Sequence, residues 1–191
     1  PFGTQEEIYG DGFEWMHHSM APKPRADEHF RIVIGGPDCA KPYSASVFNI
    51  SAMSFGALSP NAVRALNAGA KKGNFAHDTG EGGVSPYHRE HGGDLIWEIG
   101  SGYFGCRNRD GAFNPDEFAR VASDDQIKMV ELKVSQGAKP GHGGVLPAAK
   151  VSEEISKIRG VAMDEDCISP AYHRAFSTPI GMMQFIGEMR R

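Results

Sequence analysis

The chain has few cysteines, no strongly basic stretch and no long apolar run. Its three cysteines, Cys39, Cys106 and Cys167, lie far apart, which excludes a C-x-x-C zinc motif and a disulfide-dense scaffold and favours reduced thiols. The 20 basic and 24 acidic side chains give a net charge of −4 without a basic block, so nucleic acid is not an expected partner. No apolar segment is long enough to cross a membrane. Together these features favour a cytoplasmic protein.

The eight histidines form no recognised zinc motif. His88 and His91 are three residues apart, which is compatible with one face of a helix, but the pattern H-E-x-x-H is absent. We therefore predict that the chain has no metal site. The histidines are interpreted as solvated side chains or as helix caps.

The sequence has a repeated pattern of strand followed by helix. Its 191 residues, 40% of them hydrophobic, suit one core. Three predicted helices begin with a good N-cap before proline, at Ser59-Pro60, Asn114-Pro115 and Thr178-Pro179, and a fourth begins after Ser152. Strands are predicted near residues 46–50, 96–99, 127–134 and 167–168. This alternation predicts an α/β fold with parallel βα units in residues 46–191. Residues 1–45 show little periodicity and are predicted to form an extended leader that wraps those units.

The predicted strand at 127–134 runs into a loop rich in glycine and in polar side chains. Glycine lets a backbone approach a ligand closely, and Lys133, Gln136 and Lys139 supply donors for phosphate or carboxylate. Solvated surface lysines are the alternative. Lys133 and Gln136 are three residues apart, so they would face opposite sides of a regular strand. If both reach one site, the backbone must leave strand geometry by Ser135.

Four sequence blocks in this order carry a family resemblance: SAMSFGALS (51–59), TGEGG (79–83), SGYFG (101–105) and QGAKPGHGG…LP (136–147). They resemble the FMN-binding synthase domain of the glutamate synthase large subunit and its stand-alone relatives. The resemblance implies a (β/α)8 TIM-barrel type fold, like other FMN-linked oxidoreductases. A complete barrel of this type usually needs about 250 residues, so we expect only its first half to be present.

The resemblance also implies roles for individual residues. The side chains or backbone groups implied to contact FMN are Ser51, Ala52, Met53, Ser54, Thr79, Lys133 and Gln136. The implied catalytic residues are Glu81, near the substrate amine or imine, and Lys139, on 2-oxoglutarate. His142 departs from the multidomain synthases, which carry a glutamate at this position, and it leaves the identity of the substrate open.

The implied reaction makes L-glutamate from 2-oxoglutarate and ammonia by reduction of 2-iminoglutarate. Electrons would reach FMN from an iron–sulfur cluster, which would receive them from ferredoxin or from a pyridine-nucleotide reductase subunit. The closely spaced cysteines that hold this cluster are absent from this chain. Three alternatives remain open: a non-catalytic half-barrel, a flavin barrel acting on another oxo or imino acid, and a phosphate-binding lyase. Because a half-barrel exposes a sheet edge, we expect self-association or a missing C-terminal half.

Overall fold

A computed structural model of the chain describes residues 7–24, 30–136 and 142–191. It divides into two units, Pro1–Phe30 and Arg31–Arg191. The described residues of the first unit form turns and irregular chain. The second unit begins with an antiparallel hairpin of β1 (Arg31–Ile34) and β2 (Tyr43–Ser46). The leader predicted over residues 1–45 stays a prediction.

The centre of the second unit is a parallel sheet. Its strands lie in the order β3 (His77–Asp78), β4 (Leu95–Ile99) and β5 (Ile127–Leu132). Ile50 adds a single parallel bridge to His77. The ends of four consecutive chain segments therefore meet at one edge, which confirms the predicted parallel arrangement. Within the described part of the chain, no further strand pairs with β5.

Five helices accompany these strands in the described residues: α1 (Pro60–Gly73), α2 (Pro86–Arg89), α3 (Pro115–Ala122), α4 (Glu153–Arg159) and α5 (Pro179–Met189). The four predicted helix starts are confirmed, because the side chains of the N-cap residues each accept a hydrogen bond from a backbone N–H three residues later: Ser59, Asn114, Ser152 and Thr178. No helix that the structure describes is long and apolar enough to cross a membrane.

The predicted strand at 46–50 is wrong in its extent. The chain is extended only as far as Ser46, the end of β2, and Ile50 then makes its single bridge. Ser46 Oγ accepts a hydrogen bond from Phe48 N (3.1 Å), and Asn49 Nδ2 donates to Ser46 O (2.8 Å). Local bonds of this kind between side chain and backbone compete with a strand ladder.

The strand at Cys167–Ile168 exists, but its predicted place in the parallel series is wrong. This strand, β7, pairs antiparallel with β6 (Val145–Leu146). A 3-10 turn (Ala148–Lys150) and α4 lie between the two strands. Each strand has only two residues, which give no periodicity that would indicate direction.

Two hydrophobic clusters form the core. One joins β4 to α3 and α5, where Trp97 stacks on Phe118 at a ring-centroid distance of 5.4 Å and Phe185 is buried. The other joins the 51–59 segment and α1 to the β6–β7 region, through Phe55, Val63, Leu146, Val151, Ile155 and Cys167. Because Trp97 and Ile99 face the helices, the residue between them, Glu98, faces the opposite side of the sheet.

His77 lies in this core as a buried imidazole without a hydrogen-bond partner among the described residues. Burial, and to a smaller extent His88, lowers the pKa of His77 to about 4. The unfolded chain then binds a proton more readily than the folded chain between pH 6.5 and pH 4, so folding stability is lost as the pH falls through this window.

We predict that His77→Leu removes this loss. Between pH 7 and pH 5 the free energy of unfolding of the variant should gain about 2 kcal/mol relative to the wild type. Urea denaturation at the two pH values measures the difference. His91→Leu is the matched control at an exposed histidine, and the difference between the two variants isolates the effect of burying His77. Equal slopes in the wild type and His77→Leu would contradict the prediction.

Candidate functional site

Five polar side chains meet at the carboxyl ends of the parallel strands, and we call them the Glu81 cluster. Gln136 Nε2 donates to Glu81 Oε2 (2.8 Å), and Ser169 Oγ donates to Glu81 Oε1 (3.3 Å). Lys133 Nζ lies 3.6 Å from Glu81 Oε2 and 3.3 Å from Glu98 Oε1. In α/β folds this edge of the sheet is where active sites are built. The cluster contains three of the predicted site residues and adds Glu98 and Ser169.

Lys133 and Gln136 both reach Glu81 because β5 ends early. Lys133 N makes a ladder-type bond to Ile99 O (3.0 Å), but the strand itself stops at Leu132. The backbone has therefore left strand geometry before Ser135, as the spacing of the two side chains predicted. A regular strand to residue 134 would have sent them to opposite faces.

The Glu81 cluster places one cation between two carboxylates. Burial opposes the charged form of Lys133, but Glu81 and Glu98 outweigh it and raise the pKa of the ammonium. Burial raises the pKa of Glu98, whose side chain is only 5% exposed, and Lys133 opposes that rise. Lys133 is thus held as an ammonium at neutral pH.

Two glycines leave the space that the Glu81 carboxylate fills. A Cβ atom on Gly144 would lie 2.6 Å from Glu81 Oε1, and one on Gly100 would lie 2.9 Å from Oε2. Both distances are shorter than real Cβ contacts. The position of the carboxylate is thus set by donors on both oxygens and by close backbone on two sides.

The turn at residues 51–54 lies beside the loop that carries Glu81. Met53 N donates to Asp78 O (3.1 Å). Gly80 has a φ of 66°, and a Cβ atom there would lie 2.7 Å from Ser54 N. Of the four residues predicted to contact FMN here, the first two are exposed and the others half-buried: Ser51, Ala52, Met53 and Ser54. An accessible face and a supported backbone are what a ligand-binding turn needs.

Thr79 is fully buried, and its hydroxyl is occupied by the backbone. Its Oγ1 donates to Gly80 O (3.1 Å) and accepts from Glu98 N (3.2 Å). The side chain therefore stabilises the loop after β3. Its predicted contact with FMN stays a prediction.

The last predicted site residue, Lys139, and the departure from the family pattern at His142 both follow β5. Lys139 lies outside the described residues. His142 is exposed and lines a small cavity together with Glu81, Lys133 and Gln136.

Two further carboxyl groups, those of Asp78 and Glu131, lie beside Glu98, and the three have oxygen atoms within 4.8 Å of one another. Burial and a hydrogen bond with Glu131 raise the pKa of Asp78 to about 8. At neutral pH the Asp78 carboxyl therefore favours its protonated form, which can donate a hydrogen bond to Glu131. Because one of these carboxyl groups is protonated, the three can lie close together without a cation. The prediction that the chain has no metal site stays a prediction.

The three cysteines do not fit an iron–sulfur cluster. Cys106 lies in the cluster of Trp97 and Phe118, whereas Cys167 lies in the cluster of Phe55 and Val63. Burial raises the pKa of the Cys106 thiol to about 12, and metal ligation requires the thiolate. Any iron–sulfur cluster that delivers electrons to this site must therefore be held by ligands other than these cysteines.

Sequence reasoning missed two members of the Glu81 cluster. Glu98 could have been found, because it is the only charged residue in the apolar strand LIWEI. Ser169 has no such signal. It reaches Glu81 because the antiparallel pairing of β6 and β7 lets Ser169 N donate to Gly144 O (2.8 Å).

Comparison with known families assigns the chain. Residues 26–191 match the family described as the conserved region in glutamate synthase. The chain belongs to this family. The resemblance inferred from the four sequence blocks is thereby confirmed, and the Glu81 cluster belongs to a glutamate synthase region.

Individual proteins agree with the family. The glutamate synthase large subunit-like protein YerD of Bacillus subtilis is 46% identical over 160 residues. The archaeal-type glutamate synthase [NADPH] of Dehalococcoides mccartyi is 39% identical over 121 residues, and a glutamate synthase large subunit-like protein of Rhizobium meliloti is 31% identical over 160. These matches cover 83%, 63% and 83% of this chain, but 30%, 22% and 33% of the respective relatives. The chain thus spans a third or less of each relative.

Proposed function

We propose that the chain forms part of a flavin-dependent oxidoreductase of glutamate synthase type. The reaction would reduce 2-iminoglutarate, formed from 2-oxoglutarate and ammonia, to L-glutamate. The observation that carries the proposal is the Glu81 cluster beside the supported turn at 51–54, at the carboxyl edge of the parallel sheet. The family and the names of the relatives support the reaction class.

The residues present fit an FMN site. The turn at 51–54 offers accessible backbone, and the close packing of Gly80 on Ser54 holds that backbone in place. Lys133 and Gln136 keep donor capacity beyond their bonds to Glu81, since an ammonium carries three N–H groups and an amide two. When bound, FMN supplies the hydride. The side chains contribute binding and orientation.

The substrate would meet charge at two places. The Glu81 carboxylate is positioned to attract an ammonium or iminium group, because its two oxygens are fixed by Gln136 and Ser169. The ammonium of Lys133 is available to a substrate carboxylate that displaces one of its glutamates. The proposal keeps Lys139 as a second contact for 2-oxoglutarate.

The wider setting follows the family resemblance. Residues 46–191 would form the first half of a (β/α)8 barrel whose remaining strands continue from β5. Electrons would come from an iron–sulfur cluster outside this chain. That cluster would receive them from ferredoxin or from a pyridine-nucleotide reductase subunit. We keep the predictions of a cytoplasmic location and of self-association or a missing C-terminal half.

A visible spectrum of the purified chain, after FMN addition and desalting, tests the proposal. Retained flavin bands are expected, and Gln136→Ala should weaken FMN affinity about tenfold because it removes one donor that would hold the cofactor. Gln184, exposed on α5, gives a matched control, since Gln184→Ala should bind like the wild type. Absence of flavin retention would favour the non-catalytic half-barrel.

His142 favours a second candidate, a related barrel that reduces another oxo or imino acid. It lines the small cavity that also includes Glu81. The family resemblance implies a glutamate at this position in the multidomain synthases. Turnover of 2-oxoglutarate compared with other oxo acids, each with ammonia, separates the two substrates. A higher kcat/KM for 2-oxoglutarate would support the first.

A further inference from the structure

Two buried histidines each donate a hydrogen bond to the backbone of a loop at the candidate site. His88, in α2, has no exposed surface, and its Nε2 lies 3.0 Å from Met53 O. Its Nδ1 lies 3.1 Å from Ser85 N and 2.8 Å from Ser85 Oγ. The ring thus closes a capping box at the start of α2, in the place that glutamate or glutamine usually takes. Of the two interpretations given for the histidines, solvated side chains or helix caps, His88 fits the second.

His173 makes the equivalent contact to the other loop. It is 3% exposed, and its Nε2 lies 2.6 Å from Lys133 O. Its Nδ1 lies 3.1 Å from Tyr103 Oη, which accepts a hydrogen bond from Ala175 N at 3.1 Å. The phenol proton is therefore free to point at Nδ1.

The partners of each ring specify one tautomer. A carbonyl oxygen only accepts, so the proton must lie on Nε2 in both histidines. The backbone N–H of Ser85 only donates, so Nδ1 of His88 must be unprotonated, and the same assignment lets the Tyr103 phenol donate to His173. Burial lowers the pKa of His88 to about 4 and also lowers that of His173, which agrees with neutral rings.

The two carbonyls belong to residues whose other backbone group is bonded to the parallel sheet. Met53 N donates to Asp78 O, and Lys133 N donates to Ile99 O. Each histidine donates a hydrogen bond to a carbonyl oxygen at a point where the chain has left its strand. In the described residues this carbonyl is not part of the hydrogen-bond ladder of the sheet. Each loop residue is thereby tied at both its N–H and its C=O.

We propose that His88 and His173 are positioning residues of the candidate site. His88 fixes the turn that would hold FMN, and His173 fixes the backbone from which Lys133 and Gln136 reach Glu81. The inference rests on the proposed function for its role in FMN binding. The bond geometry itself does not depend on that function.

A third buried histidine, His77, serves as a comparison for His88 and His173. His77 is as fully buried as His88, its ring centroid lies 5.2 Å from that of His88, and neither of its nitrogens has a hydrogen-bond partner among the described residues. His77→Leu therefore removes a buried imidazole without releasing a loop carbonyl. His88→Leu and His173→Leu remove the donor, whereas the corresponding Gln variants keep an amide N–H near the position of Nε2.

The first experiment uses the full chain without FMN at pH 7. Nitrogen-15 NMR of the histidine rings should show a neutral Nε2–H tautomer for both residues. Amide hydrogen exchange at Met53 and Lys133 should rise about tenfold in the matching Leu variants, and stay within about threefold of the wild type in the Gln variants and His77→Leu. An Nδ1–H tautomer, a charged ring, or Gln variants that exchange as fast as the Leu variants would overturn the proposal.

The second experiment measures FMN affinity of the same proteins. Affinity should fall about tenfold in His88→Leu and in His173→Leu, and Gln should restore it. If no protein in the set binds FMN, the proposed function fails, while tautomer and exchange still decide the positioning role. If a Leu variant does not fold, the tautomers of the wild type and the exchange rates of the Gln variant decide the positioning role. Unchanged FMN affinity in both Leu variants would overturn the role in binding.

Discussion

Gly80→Ala is expected to destabilise the chain by about 3 kcal/mol and to abolish FMN retention. The φ of 66° at Gly80 is a left-handed conformation that a side chain disfavours. The added Cβ would also lie 2.7 Å from Ser54 N and 3.0 Å from Ser54 Cα, which are backbone atoms that cannot move aside without moving the turn. The loop carrying Glu81 and the turn at 51–54 must therefore separate.

Gly92 separates the two causes of that cost. It has a φ of 65°, almost the same as Gly80, but a Cβ atom there meets nothing within 4 Å. Gly92→Ala should thus cost only the backbone strain, about 1 kcal/mol, and leave FMN binding intact. Denaturant unfolding and flavin spectra of the two variants measure the difference. Similar losses in both would show that the contact with Ser54 does not hold the turn.

The helices of this chain could be predicted because their signals are local. Ser59, Asn114, Ser152 and Thr178 each accept a hydrogen bond within one turn of themselves. A cap needs no information from distant parts of the chain. The length of α1 and the position of its stop at Asn74 follow from the same local chemistry.

Strand pairing was predicted less well because it depends on distant partners. The β7 strand at Cys167–Ile168 pairs antiparallel with Val145–Leu146, and nothing within its two residues indicates the partner. The segment at 46–50 has the composition of a strand, but hydrogen bonds made by Ser46 and Asn49 bend it. A pattern read along the chain does not weigh such competing bonds.

The candidate site shows the same difference between residues predicted from local signals and residues that depend on distant partners. Glu81, Lys133 and Gln136 were predicted, and the structure brings them into direct contact. Ser169 was not, because it arrives through a pairing that spans more than twenty residues. The positioning histidines, His88 and His173, lie in segments with no catalytic motif, and their role depends on carbonyls 35 and 40 residues away in the chain.

The Glu81 carboxylate should matter for turnover more than for folding. Glu81→Gln keeps the shape that fits between Gly100 and Gly144 but removes the negative charge. The amide oxygen can still accept from Gln136, and the amide N–H₂ can face the hydroxyl of Ser169, which is able to accept. We therefore expect the free energy of unfolding to change by no more than about 1 kcal/mol.

Activity should fall by about 100- to 1,000-fold in Glu81→Gln, the usual effect of removing a fixed charge from an active site. Glutamate formation from 2-oxoglutarate and ammonia, measured in the complete protein with an artificial one-electron donor, gives kcat and KM. Glu90 supplies the control, because it is an exposed carboxylate outside the Glu81 cluster and pairs with Arg64 at 2.6 Å. Glu90→Gln should keep full activity, since an exposed ion pair contributes little.

The combination of results identifies what Glu81 does. Lost turnover with FMN affinity within about threefold of the wild type places its charge on the substrate, because a cofactor contact would weaken FMN as well. Lost turnover together with lost FMN would mean that Glu81 acts through Lys133 and Gln136, the donors that it holds. Full activity in Glu81→Gln would remove the carboxylate from the mechanism, and the search for the group that binds the amine would move to Glu98.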